Sequence, residues 1–170
     1  PELLNKGLTS FVNMGRLSPE KNQAALIKAF AQFNKEYPKT RLYIIGDGVL
    51  MDELKILISS LNMDEKIVLT GNMDNPFMLM KECDCFILPS LHEGQPVSLL
   101  EARLLKLPII MSNFSSAQSS LFDNGQLLIG NTTDDIYKGL IAFMEGKVPT
   151  CEFNYEDYND LTIKQFEEII

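Results

Sequence analysis

Short apolar runs alternate with longer amphipathic segments along most of the chain, and turn-forming residues separate them. The apolar runs have the length of buried strands, and the segments between them repeat their apolar positions at helical spacing. Strands are predicted at 10–14, 41–45, 67–69, 85–88, 107–111 and 127–129. Helices are predicted at about 18–37, 50–61, 76–81 and 134–144, with one from Pro96 down to Pro108 and a closing helix over 151–170. This alternation predicts an α/β fold, a doubly wound parallel sheet in a single Rossmann-like domain.

The segment 88–108 carries the clearest candidate for a binding site, because a buried strand, a loop and a helix follow one another there. Pro89 ends the strand, and Pro96 suits the first position of a helix, where an N–H is not needed. The main-chain N–H groups that then lack a partner inside the helix are those of Val97, Ser98 and Leu99. These donors and the positive end of the helix dipole predict a site for an anion such as phosphate.

Two carboxylates flank this predicted anion site. Glu93 lies in the loop, and Glu101 lies one helical turn beyond Val97 and Ser98, on their face of the helix. Carboxylates repel phosphate but accept hydrogen bonds from hydroxyl groups, so the arrangement favours a ligand with hydroxyls beside its phosphates, as in a sugar nucleotide. Spacing alone leaves open that both are solvated surface acids near a helix start.

The segment Glu-Gly-x-x-x-x-x-x-Glu-Ala at 93–102 follows a strand that ends in Pro-Ser and precedes Leu-Pro-Ile-Ile. It resembles the Glu-x7-Glu signature of the retaining glycosyltransferases of family 4, which have the GT-B fold of two Rossmann-like domains around a cleft. The resemblance implies that Glu93 is catalytic and approaches the donor sugar, and that Glu101 binds the ribose hydroxyls. The substrate-binding residues that it implies at the helix start, against the diphosphate, are Gly94, Gln95, Pro96, Val97, Ser98 and Leu99. The family usually has an aromatic residue and a glycine where this chain has Gln95 and Pro96, so the donor sugar stays open.

A second motif, Gly-Arg-Leu-x-Pro-Glu-Lys at 15–21, is similar to a motif of the same family. Arg16 and Lys21 flank the turn after the first predicted strand, which places them at the carboxyl end of the strands, where α/β sheets bind ligands. The resemblance implies that these two cations neutralise the donor diphosphate and that Gly15 belongs to the same site. Taken without the resemblance, a lone arginine and lysine are better explained as surface charges.

The loop after the third predicted strand is the third part of the site that the resemblance implies. In the family this loop borders the nucleobase, which makes Met73 an apolar wall against the ring and Gly71 the point of closest backbone approach. A plain core role for Met73 stays open, because methionine is adaptable packing material.

Composition limits the remaining function classes. The chain has 170 residues, 45% of them hydrophobic, and a net charge of −8, which fits one ordinary domain and argues against nucleic acid as a partner. Cys83 and Cys85 are spaced to share one strand face and are predicted to pack, and with Cys151 they give no disulfide or metal pattern. A reducing, cytoplasmic location is predicted, with peripheral attachment at the inner face of the cell membrane allowed. No cofactor and no metal are expected, because no Asp-x-Asp occurs to hold a metal-bridged diphosphate.

These observations predict the donor-binding half of a retaining glycosyltransferase. It is expected to take a sugar from a UDP- or GDP-sugar to a cell-envelope polysaccharide, glycolipid or teichoic-acid-type acceptor. The donor domain is expected to fill residues 1–170, with acceptor recognition in an N-terminal domain absent from this chain and no transfer by the fragment alone. The alternatives are a catalytically silent nucleotide-sugar-binding or scaffold module and a sugar-nucleotide epimerase-like domain. A dinucleotide oxidoreductase is disfavoured, because no Gly-x-Gly-x-x-Gly follows the first predicted strand.

Overall fold

A computed structural model describes residues 7–94, 96–113 and 125–150. The strands are β1 (Thr9–Met14), β2 (Thr40–Ile45), β3 (Ile67–Gly71), β4 (Cys85–Leu88), β5 (Ile109–Ser112) and β6 (Gln126–Ile129). The helices are α1 (Gln23–Glu36), α2 (Met51–Ser60), α3 (Phe77–Met80), α4 (Val97–Leu104) and α5 (Thr133–Met144). Each predicted strand is present with small shifts at its ends. The predicted closing helix over 151–170 and the predicted contact residue Gln95 lie outside the described residues.

The strands form one sheet in the order β3-β2-β1-β4-β5-β6, and every neighbouring pair is parallel. The predicted α/β fold with a parallel, Rossmann-like sheet is therefore confirmed. Strand order runs one way from β1 through β2 to β3 and the other way from β1 through β4 to β6. This reversal leaves a crevice outside the carboxyl ends of β1 and β4, which is where open α/β sheets bind ligands.

Helices cover both faces of the sheet, because neighbouring residues of each strand point to opposite sides. Phe11 of β1 packs with α1, α2 and α5, whereas Val12 packs with α3 and α4. The largest fully buried side chains of the first layer include Phe11, Leu26, Ile27, Phe30, Phe33, Leu42 and Ile44. Those of the second layer include Tyr43, Met80 and Phe86. Within the described ranges, no helix has both the length and the apolar character needed to cross a bilayer.

The first helix starts later than predicted. The sequence predicted one helix from Ser18 or Pro19, but the structure has a 3₁₀ turn at Pro19–Lys21 and begins α1 only at Gln23. Asn22 lies between them in the left-handed conformation, with φ 57°. A residue in that conformation continues neither helix, so it turns the chain between Lys21 and the body of α1.

The two described cysteines pack as predicted, but on different sides of the sheet. Cys83 precedes β4 rather than belonging to it, and it packs in the α3–α4 layer, whereas Cys85 packs in the other layer. The prediction that they share one strand face is therefore wrong. Burial raises the pKa of both thiols, that of Cys83 to about 12, so neither is ionised and reactive at neutral pH.

Replacing Phe11 with alanine tests the packing of the larger layer. The ring is fully buried and meets the rings of Phe30, Phe33 and Phe143 edge-on, with centroids 6.2, 5.6 and 5.2 Å away. We expect Phe11→Ala to lower the free energy of unfolding by about 3–5 kcal/mol in urea titrations. Phe77→Ala removes a ring that is 43% exposed and is the control, with an expected loss below about 1 kcal/mol. Equal losses for the two variants would contradict this packing.

Candidate functional site

The turn after β1 is held against the loop after β2 by main-chain hydrogen bonds. The N–H of Gly15 donates to the carbonyl of Ile45 at 3.0 Å, and the N–H of Leu17 donates to the carbonyl of Asp47 at 3.0 Å. Gly46 makes this approach possible, because a Cβ there would lie 2.1 Å from the carbonyl oxygen of Gly15, and its φ is +132°. The glycines after β2 therefore bring two loops together at the carboxyl edge of the sheet.

Lys21 and Glu93 meet at the point where the strand order reverses. The Nζ of Lys21 donates to Oε1 of Glu93 at 2.6 Å and to Oε2 at 2.8 Å, and the hydroxyl of Ser90 also donates to Oε1 at 2.6 Å. The side chains are only 21% exposed for Lys21 and 6% exposed for Glu93. The sequence predicted both residues at this edge of the sheet but did not predict that they pair.

Other contacts fix the loop after β4 against the turn that carries Lys21. The N–H of Leu91 donates to the carbonyl of Glu20 at 2.8 Å, and the side-chain amide of Asn22 donates to the carbonyl of Pro89 at 3.1 Å. From the other side, the hydroxyl of Ser112 at the end of β5 donates to the carbonyl of Ser90. The loop that presents Glu93 is thus bonded to both of its neighbours.

The start of α4 offers two main-chain donors rather than three. The helix begins at Val97. Pro96 is therefore the residue before the helix and not, as predicted, its first residue. The N–H of Leu99 donates to the carbonyl of Pro96 at 3.0 Å, so the prediction that it lacks a partner is wrong. The N–H groups of Val97 and Ser98 make no hydrogen bond with any described residue. Those two remain available to an anion.

Glu101 is a half-buried carboxylate one turn into α4. It forms no hydrogen bond or ion pair with the described residues, and desolvation by burial raises its pKa. A carboxylate that has lost water without gaining a partner is stabilised when a hydroxyl group donates a hydrogen bond to it.

Arg16 lies at a cavity of about 410 Å³ between the ends of β1, β2 and β3. Of the predicted residues, Gly15, Arg16 and Met73 line it together, and none of the described residues of α4 does. Residues that the sequence did not single out also line it: Met14, Ile45, Asn72 and Pro76. Apart from their position in loops after strands, no sequence signal could have found them.

The cavity and the Lys21–Glu93 pair adjoin each other at Gly15. Gly15 lines the cavity, and a Cβ built on it would lie 3.7 Å from Cδ and Cε of Lys21. Gly71 is not among the residues that line the cavity. Its carbonyl accepts a hydrogen bond from the N–H of Gly46 at 2.9 Å. The predicted residues thus form two groups along one edge of the sheet, and Gly15 touches both.

The sequence model of the family described as glycosyl transferases group 1 matches residues 1–160. The chain belongs to this family. A relative with 33% identity over 160 residues is an uncharacterised glycosyltransferase of Methanocaldococcus jannaschii; the match covers 94% of this chain and 39% of that protein. The UDP-Gal:alpha-D-GlcNAc-diphosphoundecaprenol alpha-1,3-galactosyltransferase of Escherichia coli is 33% identical over 144 residues, covering 81% of this chain and 37% of that protein. This family member therefore spans well under half the length of these relatives.

Solved structures of GT-B glycosyltransferases have the same fold. The pneumococcal O-GlcNAc transferase GtfA, in complex with UDP and GlcNAc, matches with a TM-score of 0.78 and 21% identity, over 96% of this chain and 36% of that one. Anabaena HepE, in complex with UDP and glucose, matches with a TM-score of 0.77 and 21% identity, over 95% of this chain and 48% of that one. The sheet described above therefore has a fold that also occurs in GT-B glycosyltransferases.

The raised pKa of Glu101 predicts how stability depends on pH. The folded state holds the carboxyl proton more tightly than the unfolded chain does, so the ionised form destabilises the fold as pH rises through the folded pKa. We expect Glu101→Gln to raise the free energy of unfolding at pH 7 by less than about 1 kcal/mol. The gain should vanish near pH 4, where the wild-type carboxyl is protonated.

Urea titrations of both proteins across this pH range measure the effect. Glu65→Gln is the control, because Glu65 is an exposed carboxylate outside the site. A glutamine variant of Glu101 that is less stable than wild type at pH 7, or a gain that persists at pH 4, would contradict the assignment of an unpartnered, desolvated carboxylate.

Proposed function

We propose that this chain is the donor-binding domain of a retaining glycosyltransferase of family 4, and that the nucleotide sugar binds across the carboxyl ends of β1 and β4. The observation that carries the proposal is the contact between Lys21 and Glu93. These residues come from the two motifs that resemble the family, and they meet at the switch point of the sheet. Membership of the group 1 family supports the same reading.

In this proposal, the diphosphate binds at the start of α4 and contacts the two cations, Arg16 and Lys21. The N–H groups of Val97 and Ser98 have no partner among the described residues. An ammonium group has three donors, of which Lys21 gives two to Glu93. The remaining donor of Lys21 is directed to a phosphate oxygen. Because Lys21 also offsets the charge of Glu93, the carboxylate repels the phosphate less. The exposed Arg16 supplies a second positive charge.

The two carboxylates contact the hydroxyl-bearing parts of the donor: Glu93 the sugar and Glu101 the ribose. Lys21 and Ser90 fix the orientation of Glu93, which lies toward the donor sugar in this proposal. The carboxylate of Glu101, which has no partner in the part of the chain that the structure describes, accepts from the ribose hydroxyls, and that contact replaces the water it has lost.

The nucleobase takes the cavity beside Arg16. Met73 and Pro76 offer apolar surface to a flat ring, and the side chain of Asn72 offers both a donor and an acceptor to its edge. We infer uracil as the base, because the similar structures of GtfA and HepE hold UDP and the Escherichia coli relative is named for UDP-Gal.

In the reaction, negative charge grows on the departing UDP as its bond to the anomeric carbon breaks. Arg16, Lys21 and the N–H groups at the start of α4 stabilise that charge without a metal ion, a role of positioning and electrostatics. The acceptor hydroxyl comes from a cell-envelope polysaccharide, glycolipid or teichoic-acid-type molecule bound by a separate N-terminal domain. The lipid-diphosphate acceptor in the name of the Escherichia coli relative supports this class.

Thermal unfolding with UDP tests the donor site. We expect UDP at about a hundred times its dissociation constant to stabilise the chain by about 2.7 kcal/mol, which raises Tm by about 5–10 °C. Arg16→Ala should remove most of the shift, because it deletes an exposed cation at the proposed diphosphate site. Lys28→Ala, an exposed cation on α1 away from this edge, is the control and should keep the full shift.

The result against the proposal is equally specific. No shift with UDP, GDP or ADP would contradict a donor site, and so would a shift that Arg16→Ala leaves intact. A shift with GDP alone would keep the site and correct the base.

A further inference from the structure

The side chain of Asn22 does not cap its own helix. Asn22 occupies the residue before α1, where an asparagine ordinarily accepts a hydrogen bond from an N–H of the first turn. No such bond forms here. The side-chain amide instead donates to the carbonyl of Pro89 at 3.1 Å and to the carbonyl of Asn131 at 2.8 Å. These acceptors are 67 and 109 residues away in sequence.

The two carbonyls belong to two different loops, so the amide joins three segments of the chain at once. Pro89 begins the loop that presents Glu93, and Asn22 directly follows Lys21. Asn131 directly precedes Thr132, whose hydroxyl and main chain form a reciprocal cap with Asp135 at the start of α5. That cap holds the loop after β6, so the carbonyl of Asn131 is a fixed anchor for the amide.

We propose that Asn22 is a positioning residue that sets the turn of Lys21 against the loop of Glu93 and thereby maintains their ion pair. An amide is suited to this, because both of its N–H groups are used and a carboxylate in its place would face two carbonyl oxygens. The left-handed backbone at Asn22 aims the side chain away from α1 and toward the neighbouring loops. The consequence for donor binding rests on the function proposed above, whereas the consequence for the ion pair does not.

Asn22→Gly removes the amide with little other change. Glycine adopts a φ of 57° without strain, and it replaces asparagine before a helix at a cost of only a few tenths of a kcal/mol. Asn62→Gly is a matched control: Asn62 follows α2, has a φ of 56°, is exposed, and its side chain has no hydrogen bond with the described residues. The two substitutions therefore differ in the bonds that are lost.

A double-mutant cycle on the complete chain measures the ion pair directly. Lys21→Met and Glu93→Gln, singly and together, give their coupling from urea unfolding, once in the wild-type background and once with Asn22→Gly. We expect a coupling of about tenfold in the unfolding equilibrium constant for the wild type, falling to about threefold or less with Asn22→Gly. The Asn62→Gly background should keep the wild-type value.

A merely structural role for Asn22 gives a different result. Asn22→Gly would then lower stability but leave the coupling unchanged, and equal coupling in both backgrounds, including none in either, would overturn the proposal. UDP binding is measured on the same proteins by calorimetry, with about tenfold weaker affinity expected for Asn22→Gly and unchanged affinity for Asn62→Gly. If the wild type binds none of UDP, GDP and ADP, the proposed function fails, and the coupling still decides the role of Asn22.

Discussion

The pairing of Lys21 with Glu93 joins the turn after β1 to the loop after β4, beyond the point where these two strands stop pairing. β1 and β4 are paired only at Phe11 with Cys85 and at Val12 with Phe86. Beyond that, the side-chain amide of Asn13 donates to the carbonyl of Ile87 at 2.8 Å, and the ion pair follows at the edge. Where the crevice opens, these side-chain bonds replace the main-chain hydrogen bonds between β1 and β4. The positions of these side chains therefore set the shape of the site.

This arrangement is compatible with the diphosphate site proposed above, although the chain has a net charge of −8. Repulsion from the nearest carboxylate is offset locally, because Glu93 accepts three hydrogen bonds from Lys21 and Ser90. In that proposal, the exposed Arg16 and the N–H groups of Val97 and Ser98, which bond to none of the described residues, act over a short range. Charges farther away matter less, because salt screens exposed charges beyond about 8–10 Å.

Much of the fold can be predicted from the sequence, because buried strands and amphipathic helices each have a characteristic spacing of apolar residues. The strand Cys85–Leu88 has the predicted bounds, and α5 begins one residue early. The break at Asn22 was not predictable, since Ser18 and Pro19 are ordinary helix-start residues and the left-handed turn depends on loops far away in sequence. The pairing of Lys21 with Glu93 likewise depends on the strand order, which periodicity does not encode.

The parts of the site divide in the same way. Motif resemblance pointed to residues on the correct edge, because a turn after a parallel strand must lie there. It did not separate Arg16, at the cavity, from Lys21, at the ion pair. The prediction of a helix that starts at Pro96 gave α4 one donor too many, because the bond from Leu99 to Pro96 depends on how the loop enters the helix.

The most direct test of the account is a titration of the isotope-labelled chain with UDP, followed by two-dimensional ¹⁵N–¹H NMR. The account predicts that the main-chain amides of Val97 and Ser98 shift most, together with those of the turn at Gly15, while amides at the opposite edge near Thr40 stay unchanged. Saturating shifts confined to that opposite edge, with Val97 and Ser98 unmoved, would contradict it.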